Sequence, residues 1–455
     1  MSDVDLIVEL SNDIANARGK FDKLNAYYEG EHRLESLGLA LPPELAKLRT
    51  VINWPRLVVD SLEERLDVEG FRVGEDTALA DRLWTWWQAN RLDVESSLAH
   101  TEALVQGRAF IVVGVNEDDP EIPLITVESS KTMTTRVDPR TRKVSSALRL
   151  YNFDDSGNAQ SATLYLPDRT SFFEQRSGRW VETDRIRHRL GVVPVVPMVN
   201  RARVSNRQGR SEMADVIPLT DAACRTLTNL QGAQEFLAVP QRYVLGASPE
   251  DFVGPNGEPK TQWEVYIGRF IAITNERAQI GQVSAADLRN FTQTIDSYAR
   301  MVAGITGLPP HYLGFSSENP ASADAIRSSE SRLVKRSERR GTAFGDAWEE
   351  AMRVGLLLVD GHLPEAARRL ETIWRDPGTP TYAAKVDAVV KLYTARSNEG
   401  PLLPREAAWE ELGYSAEKRN RYRRYSRSVD NEVAEFLESE EGRALAMGSA
   451  LSRES

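Results

Sequence analysis

Residues that could do chemistry are few and scattered in this 455-residue sequence. The single cysteine, Cys224, excludes an intramolecular disulfide and leaves no cysteine-based metal site. The five histidines stand singly, without an H-x-x-x-H pair, so the sequence predicts no zinc or di-iron centre. They are His32, His100, His188, His311 and His362. We expect no metal site, and we expect Cys224 to be a small apolar residue of a helix.

Motifs for phosphate binding and hydrolysis are also missing from the sequence. "GPNGEPKT" (254–261) has glycines and a Lys-Thr pair, but it lacks the G-x-x-x-x-G-K-[ST] pattern and is typical of a hairpin turn. "GRAFIVVGV" (107–115) has no G-x-G-x-x-G that opens a helix, and neither G-x-S-x-G nor H-E-x-x-H occurs. The sequence therefore predicts no enzyme, no catalytic residue and no cofactor.

One segment combines cations with aromatic rings, an arrangement that can contact DNA phosphates. It is "KRNRYRRYSR" (418–427), and its candidate DNA contacts are Arg421, Arg423 and Arg424. The alternative is a charged helix face that pairs with the acidic segment 430–441. The formal net charge of −10 does not suggest general nucleic-acid binding, although an acidic wall suits a surface past which DNA slides.

The first elements predicted along the chain, which would position these residues, are helices. An apolar stripe at spacings of three and four runs from Leu6 to Tyr28 and predicts the first helix. A second helix is predicted from Pro55, and two more over 75–90 and 93–107. The tryptophans expected in the core are Trp84, Trp86 and Trp87.

The apolar period changes to two between Arg108 and about Val199, which predicts strands. Turn dipeptides such as Ser156-Gly157 and Ser177-Gly178 separate them. The first part of the chain therefore predicts an α+β fold, with helices first and a mostly antiparallel sheet after them.

Two helices with narrow apolar seams flank a small β-rich module at 239–283. The first helix carries its stripe over 216–237. The second carries its stripe over 288–305, behind a capping-box signature of Ser284 and Asp287. Narrow seams with polar flanks favour helices that pack laterally in an assembly, the alternative being an ordinary αα-hairpin in a monomer.

A polar strap follows the second helix, in "GITGLPPHYLGFSSENPASADAIRSSE" (304–330). It leads to a long helix predicted over 322–359, with a basic middle and bends at Gly341 and Gly345. Small helices are predicted beyond residue 361.

The apolar runs of the chain are short, well below the ~18 residues that a membrane span needs. The N-terminus, "MSDVDLIVEL", is acidic and has no basic region of the kind that begins a secretory signal. We therefore expect a chain made in the cytoplasm, without a membrane partner.

Several segments, taken in order, carry a family resemblance. They are "LNAYYEGEHRL", "VINWPRLVVDSLEERLDVEGFR", "GRSEMADVIPLTDAACRTL", "GITGLPPHYLGFSSENPASADAIRSSESRLVKR" and "ETIWRDPGTPTYAAKVDAVVKLY". Together they resemble the portal protein family of tailed double-stranded DNA phages, in the branch of long-tailed phages of Gram-positive hosts. No single motif is diagnostic, but their order over about 20–435 is specific.

The resemblance implies a portal-type fold assembled as a ring of about twelve subunits at one capsid vertex, with double-stranded DNA passing along its axis. The implied regions are a wing (1–204), stem helix 1 (205–238), a clip (239–283), stem helix 2 (284–307), a tunnel loop (308–321), a long wing helix (322–360) and a helical crown with tail (361–455). The implied function is genome packaging, head–tail connection and DNA ejection.

The resemblance also implies site residues and partners. Tunnel-loop residues facing the DNA channel would be Pro309, Pro310, His311, Tyr312, Ser316, Ser317, Glu318 and Asn319. Clip residues Trp263, Tyr266 and Arg269 would bind partners. The implied partners are the terminase, head–tail adaptors, major capsid protein and scaffolding protein. The chain would belong to the virion and be made in the host cytoplasm.

Two alternatives to a phage portal stay open at this point. One is a nucleotide-using enzyme whose site is built from dispersed residues. The other is the portal of a gene-transfer particle, which the sequence does not separate from a phage portal.

Overall fold

The computed structural model describes residues 2–32, 50–237, 242–246, 279–282, 287–314, 323–378, 382–397, 400–414, 418–419 and 421–425. The chain divides into two compact units, Met1–Gly378 and Thr379–Ser455. Among the described residues, every helix is too short or too polar to span a lipid bilayer.

Helices of the first unit follow the apolar periodicity of the sequence. They are α1 (Asp3–Tyr28), α2 (Trp54–Glu63), α3 (Thr77–Ala89), α4 (Leu92–Gln106), α5 (Ile217–Leu237), α6 (Arg289–Thr306) and α7 (Ala323–Asp360). Asn53 caps α2, and Pro55 stands in its first turn, where a missing N–H breaks no helical hydrogen bond. The four helices predicted before residue 108 are confirmed.

The strands of the first unit pair only in antiparallel fashion among the described residues. They are β1 (Val68–Val73), β2 (Arg108–Gly114), β3 (Leu124–Ser129), β4 (Met133–Val137), β5 (Val144–Phe153), β6 (Ala159–Tyr165), β7 (Arg169–Arg176), β8 (Arg179–Arg187), β9 (Val195–Val199), β10 (Arg242–Leu245), β11 (Gln279–Gln282) and β12 (Leu370–Trp374). The antiparallel sheet predicted from Arg108 is two sheets, ordered β3-β2-β9 and β4-β5-β6-β7-β8. Strands β4 and β12 were not predicted.

Strand β2 is buried on both faces, as its nearly continuous apolar run indicates. Ala109, Ile111 and Val113 belong to the largest apolar cluster, which also contains buried residues of α3, α4 and α7. The alternate residues Phe110 and Val112 belong to a second cluster with side chains of the five-stranded sheet. The three-stranded sheet is thus a middle layer between helices and the larger sheet.

The tryptophans of α3 lie in the core, as predicted. Trp86 and Trp87 are each 1% exposed, and Trp84 packs against the same cluster. The Trp87 ring meets Trp348 of α7 edge-on, with 5.0 Å between the ring centroids. Edge-to-face contact is a preferred geometry for aromatic pairs, so this contact helps to hold α7 against α3.

Helix α7 is continuous through the two glycines predicted as bend points. Both glycines lie against Trp374 of β12: a Cβ atom at Gly345 would stand 3.1 Å from the indole Nε1, and one at Gly341 would stand 3.4 Å from the ring. The glycines therefore let a strand and its indole pack close to the helix, a packing requirement that periodicity alone does not reveal.

Helices α5 and α6 pack against each other, and their seams are as narrow as the sequence indicates. The buried face of α5 includes the small or polar residues Thr220, Ala223, Cys224 and Thr228. Burial raises the pKa of the Cys224 thiol, in keeping with the expected structural role.

Helix α6 buries Ala299, Val302 and Thr306, whereas Met301 and Ile305 are 52% and 47% exposed. Its described start is Arg289, and Ser284 of the predicted capping box lies outside the described residues.

The second unit contains α8 (Tyr382–Thr394), α9 (Arg405–Glu411) and the short pair β13 (Arg396–Ser397) and β14 (Gly400–Pro401). Both helices were predicted. Residues 361–378, assigned from the sequence to the C-terminal helical region, lie in the first unit, where β12 pairs with β1.

Candidate functional site

A helix junction forms where the end of α6, the N-terminal half of α7 and the 3-10 turn Glu212–Asp215 meet. Helix α6 ends at Gly307, whose φ of +73° is left-handed and free of strain only for glycine. A Cβ atom there would also lie 2.9 Å from Cγ of Arg332 on α7. Both the backbone conformation and the close approach of α7 therefore require glycine.

The start of the predicted tunnel loop is docked on the core. Leu308 and Pro309 are buried, and Pro310–Leu313 form a 3-10 turn. Within that turn Tyr312 packs against the largest apolar cluster, whereas Pro310 and His311 are exposed. The segment 308–313, predicted as the start, or base, of the tunnel loop, is thus docked on the core.

Tyr312 holds this base through two charged partners. Its hydroxyl accepts a hydrogen bond from Nη2 of Arg65 at 3.0 Å and donates one to Oε1 of Glu330 at 3.2 Å. The Arg65 and Glu330 side chains are only 7% and 9% exposed and are 3.6 Å apart. Charge-assisted hydrogen bonds in so dry a place are strong, so the loop base is tied to the end of α2 and to α7.

Other predicted portal-site residues lie outside the described residues. They are Ser316, Ser317, Glu318 and Asn319 of the tunnel loop and Trp263, Tyr266 and Arg269 of the clip. Strands β10 and β11 lie at the two ends of the predicted clip, 239–283, and pair antiparallel, with Arg242 opposite Gln282.

Glu212 is the charged centre of the helix junction. Its side chain is fully buried, and it accepts hydrogen bonds from Arg336, from Nη2 of Arg340 at 3.2 Å and from Nδ2 of Asn200 at 3.1 Å. Burial raises the pKa of Glu212, but Arg340 and Arg336 outweigh it, so the pKa lies below its ordinary value. The ionised carboxylate therefore joins α7 to the turn that leads into α5.

A basic cleft of about 420 Å³ opens beside this carboxylate. Its charged lining consists of Arg201, Arg332, Lys335, Arg336, Arg339 and Arg340 with Glu212 and Asp215. Arg201 pairs with Asp215 at 2.7 Å, and Glu212 binds two of the other arginines. Positive charge remains in excess: Arg332, Lys335 and Arg339 are exposed, although Lys335 pairs with Glu338 of the same helix at 2.6 Å. The basic middle of the long helix thus contributes to a cleft as well as to a solvated face.

The basic–aromatic cluster of the second unit is partly neutralised. Nε of Arg423 donates to Glu406 at 2.7 Å, and Arg419 pairs with Glu410. The carboxylates belong to α9, which precedes the cluster, whereas the acidic segment considered from the sequence follows it. Arg421 and Arg424 are exposed, so DNA contact through them remains a prediction.

Metal ligands do not gather at this junction or elsewhere in the part of the chain that the structure describes. His100 is buried against Trp348, and the other described histidines stand apart from carboxylate clusters. The charged groups at this junction can bind opposite charge and hold the helices together.

Comparison with known proteins decides the family. A model of the phage portal protein family, SPP1 Gp6-like, matches residues 9–420. The chain belongs to this family. Portal proteins of Mycobacterium phages L5 and D29 are each 44% identical to it, over 88% of this chain and 83% and 84% of theirs.

Two solved structures are also similar to the chain. The neck of an empty GTA particle with C6 symmetry matches at a TM-score of 0.49 and 14% identity, covering 87% of this chain and 94% of that one. The neck of a native GTA particle with C12 symmetry matches at 0.43 and 13%, covering 80% and 91%.

The family model and the two mycobacteriophage portal proteins confirm the predicted family and function. The chain is a phage portal protein, a structural component of the capsid vertex, and the predicted absence of enzymatic activity agrees with the family. The alternative of a nucleotide-using enzyme is thereby set aside.

Sequence reasoning missed the residues that fix the junction, namely Glu212, Arg65 and Arg201. Glu212 lies in "GRSEMADV", where it resembles any acidic residue at a helix start. Arg65 and Glu330 stand far apart in the chain and meet only through the fold. The one sequence feature that indicated this junction was the excess of cations in the middle of α7.

Proposed function

We propose that this portal protein assembles as a closed ring of about twelve subunits and that double-stranded DNA passes along its axis. The observation that carries the proposal is the family match over residues 9–420, which spans both unit 1 and the start of unit 2. Helix α6 supports it, because Met301 and Ile305 are exposed in the single chain and would be covered by a neighbour.

We also propose that residues 314–321 are the part of the tunnel loop that faces the DNA. The docked base at 308–313 and the start of α7 at Ala323 support this narrower assignment, because both ends of the segment are held. Ser316, Ser317 and Asn319 are polar and uncharged, and Glu318 is acidic, so the duplex would slide with little adhesion.

The remaining assignments stay proposals of the same kind. Residues 239–283, which include β10 and β11, would be the clip that binds the terminase and the head–tail adaptors, through Trp263, Tyr266 and Arg269. The major capsid protein and scaffolding protein would contact the ring, the chain would be made in the host cytoplasm, and Arg421 and Arg424 would meet packaged DNA.

The experiment that tests the ring is negative-stain imaging of the purified full-length protein together with mass determination. We expect rings of about a dozen subunits with an axial hole. A stable monomer at micromolar concentration would overturn the proposed assembly, while the family assignment would stand.

A further inference from the structure

A second charged cleft lies on the first unit, with the opposite sign to the basic cleft. This acidic cleft of about 560 Å³ is lined by four carboxylates, Glu29, Glu95, Glu102 and Glu128. Its one cation, Arg56, already pairs with Asp60 at 3.2 Å.

Two carboxylates of the acidic cleft, Glu102 and Glu128, are buried at a cost and have partners within the chain. Burial raises the pKa of Glu102, although the hydroxyl of Ser129 and Lys131 act against it. Burial likewise raises the pKa of Glu128, although Arg149 pairs with it at 2.8 Å. The other two carboxylates of the cleft, Glu29 and Glu95, are the ones with which cations from outside the chain would pair.

The two clefts lie on opposite edges of the three-stranded sheet β3-β2-β9. Glu128 of the acidic cleft is on the edge strand β3, and Arg201 of the basic cleft follows the other edge strand, β9. Ala109 of β2 is paired with Ser129 near the end of β3 and with Met198 near the end of β9, so both clefts lie toward the same end of the sheet. Two different surfaces on opposite flanks are what a head-to-tail contact requires.

Exposed apolar side chains border both clefts. Leu98 lines the acidic cleft at 55% exposed, and Val94, one turn earlier on α4, is 57% exposed. Ile305 lines the basic cleft, with Met301 one turn earlier on α6. A mixed apolar and charged border fits a protein partner better than a DNA backbone, which offers phosphates and no apolar surface of this kind.

From this complementarity we infer that the basic cleft of one copy binds the acidic cleft of the next, and that this contact closes the ring. The inference rests on the proposed ring and names the surfaces that build it. Lys335 and Arg339 would face Glu29 and Glu95, while Met301 and Ile305 would pack against Val94 and Leu98.

The test is a charge exchange between two variants of the full-length protein. Lys335→Glu/Arg339→Glu makes the proposed contact residues of both surfaces acidic, and Glu29→Lys/Glu95→Lys makes the contact residues of both surfaces basic. Each variant alone should raise the concentration for half-assembly by more than ~100-fold, because like charges then face each other. An equimolar mixture, with one variant tagged, should form rings in which the two alternate and co-purify.

A matched control reverses two arginines far along the sequence from both clefts. Arg179→Glu/Arg187→Glu on β8 should leave ring formation within ~threefold of the unaltered protein, as expected of exposed charges that face solvent. Melting curves by circular dichroism check that each variant is folded.

The outcomes separate the inference from the proposed ring. Rings from either variant alone, or a folded mixture that fails to assemble, would overturn the paired clefts. Rings that persist in Lys335→Glu/Arg339→Glu while duplex DNA binding is lost would assign the basic cleft to nucleic acid instead. Absence of rings from the unaltered protein would overturn the proposed assembly itself. If a reversal variant is unfolded, Lys335→Gln and Glu95→Gln replace it, and ring dissociation should then begin at lower salt.

Discussion

At the residue scale, buried charged and polar groups hold the elements of this protein together, although no sequence motif marks them. Glu212 has no exposed side-chain surface, yet it is ionised because Arg336 and Arg340 bind it directly. Removing one member of such a group leaves the others buried and unpaired, which is costly, whereas the complete group is close to neutral for stability. Its role is therefore to fix which surfaces of α7 and the 3-10 turn meet.

His100 shows the same principle with a neutral group. Its Nε2 accepts a hydrogen bond from Nε1 of Trp348 at 3.0 Å, so that nitrogen carries no proton. Complete burial lowers the pKa of His100 to about 3, against 6.5 when exposed. Protonation would both charge the core and remove the acceptor for Trp348.

We predict a pH dependence of stability from His100. Below pH 6.5 the imidazole of His100 binds a proton in the unfolded chain, whereas in the folded chain it stays neutral down to about pH 3. The free energy of unfolding therefore falls as the pH is lowered from 6.5 to about 3. At pH 5 the loss is about 2 kcal/mol. Urea unfolding at pH 7 and pH 5 measures it, with His100→Gln as the comparison. The unaltered protein should lose about 2 kcal/mol more than the variant; equal losses would contradict the prediction.

At the scale of elements, the first residues of the predicted tunnel loop are docked on the core, and the hydroxyl of Tyr312 holds them there through two hydrogen bonds. We predict that Tyr312→Phe lowers the free energy of unfolding by about 1 kcal/mol, since it removes two hydrogen bonds to buried charges that still face each other. Local opening should also speed amide hydrogen exchange of residues 311–314 several-fold, because the open state becomes more populated as the free energy of opening falls.

The neighbouring residue provides the control for this prediction. His311 is exposed in the same 3-10 turn and its ring centroid lies 4.8 Å from that of Tyr312, so His311→Ala should change both quantities less than Tyr312→Phe does. Equal effects of the two substitutions would show that the turn, rather than the Tyr312 hydroxyl, holds the base of the loop.

At the scale of the whole molecule, the apolar clusters of the described residues all lie before residue 378. We therefore predict that a chain ending at Gly378 folds on its own and melts within about 5 °C of the full-length protein at equal concentration. Circular dichroism melting tests this. A fragment that is unfolded or aggregates would show that Thr379–Ser455 contributes to the core of the first unit.

Prediction from sequence was strongest where one periodic pattern sets one element. The helices before residue 108, the antiparallel strands after it, the two narrow-seamed helices and the long α7 all followed from spacing. Strands β4 and β12 were missed. Strand β4 is only five residues long, and β12 is stabilised by pairing with β1 some 300 positions away, a distance that local pattern does not span.

What the sequence alone determined is the α+β class, the paired helices, the absence of catalytic motifs and, through the order of its segments, the portal family. Each of these depends on local spacing or on residue types that are present or missing. Only the tertiary structure shows that residues 308–313 are docked on the core and that Trp374 packs against Gly341 and Gly345. It also shows that two arginines of α7 pair with Glu212. It also set two clefts of opposite charge on opposite edges of one sheet. These features join residues tens to hundreds of positions apart, and burial and Coulomb attraction act on distance in space rather than on distance along the chain.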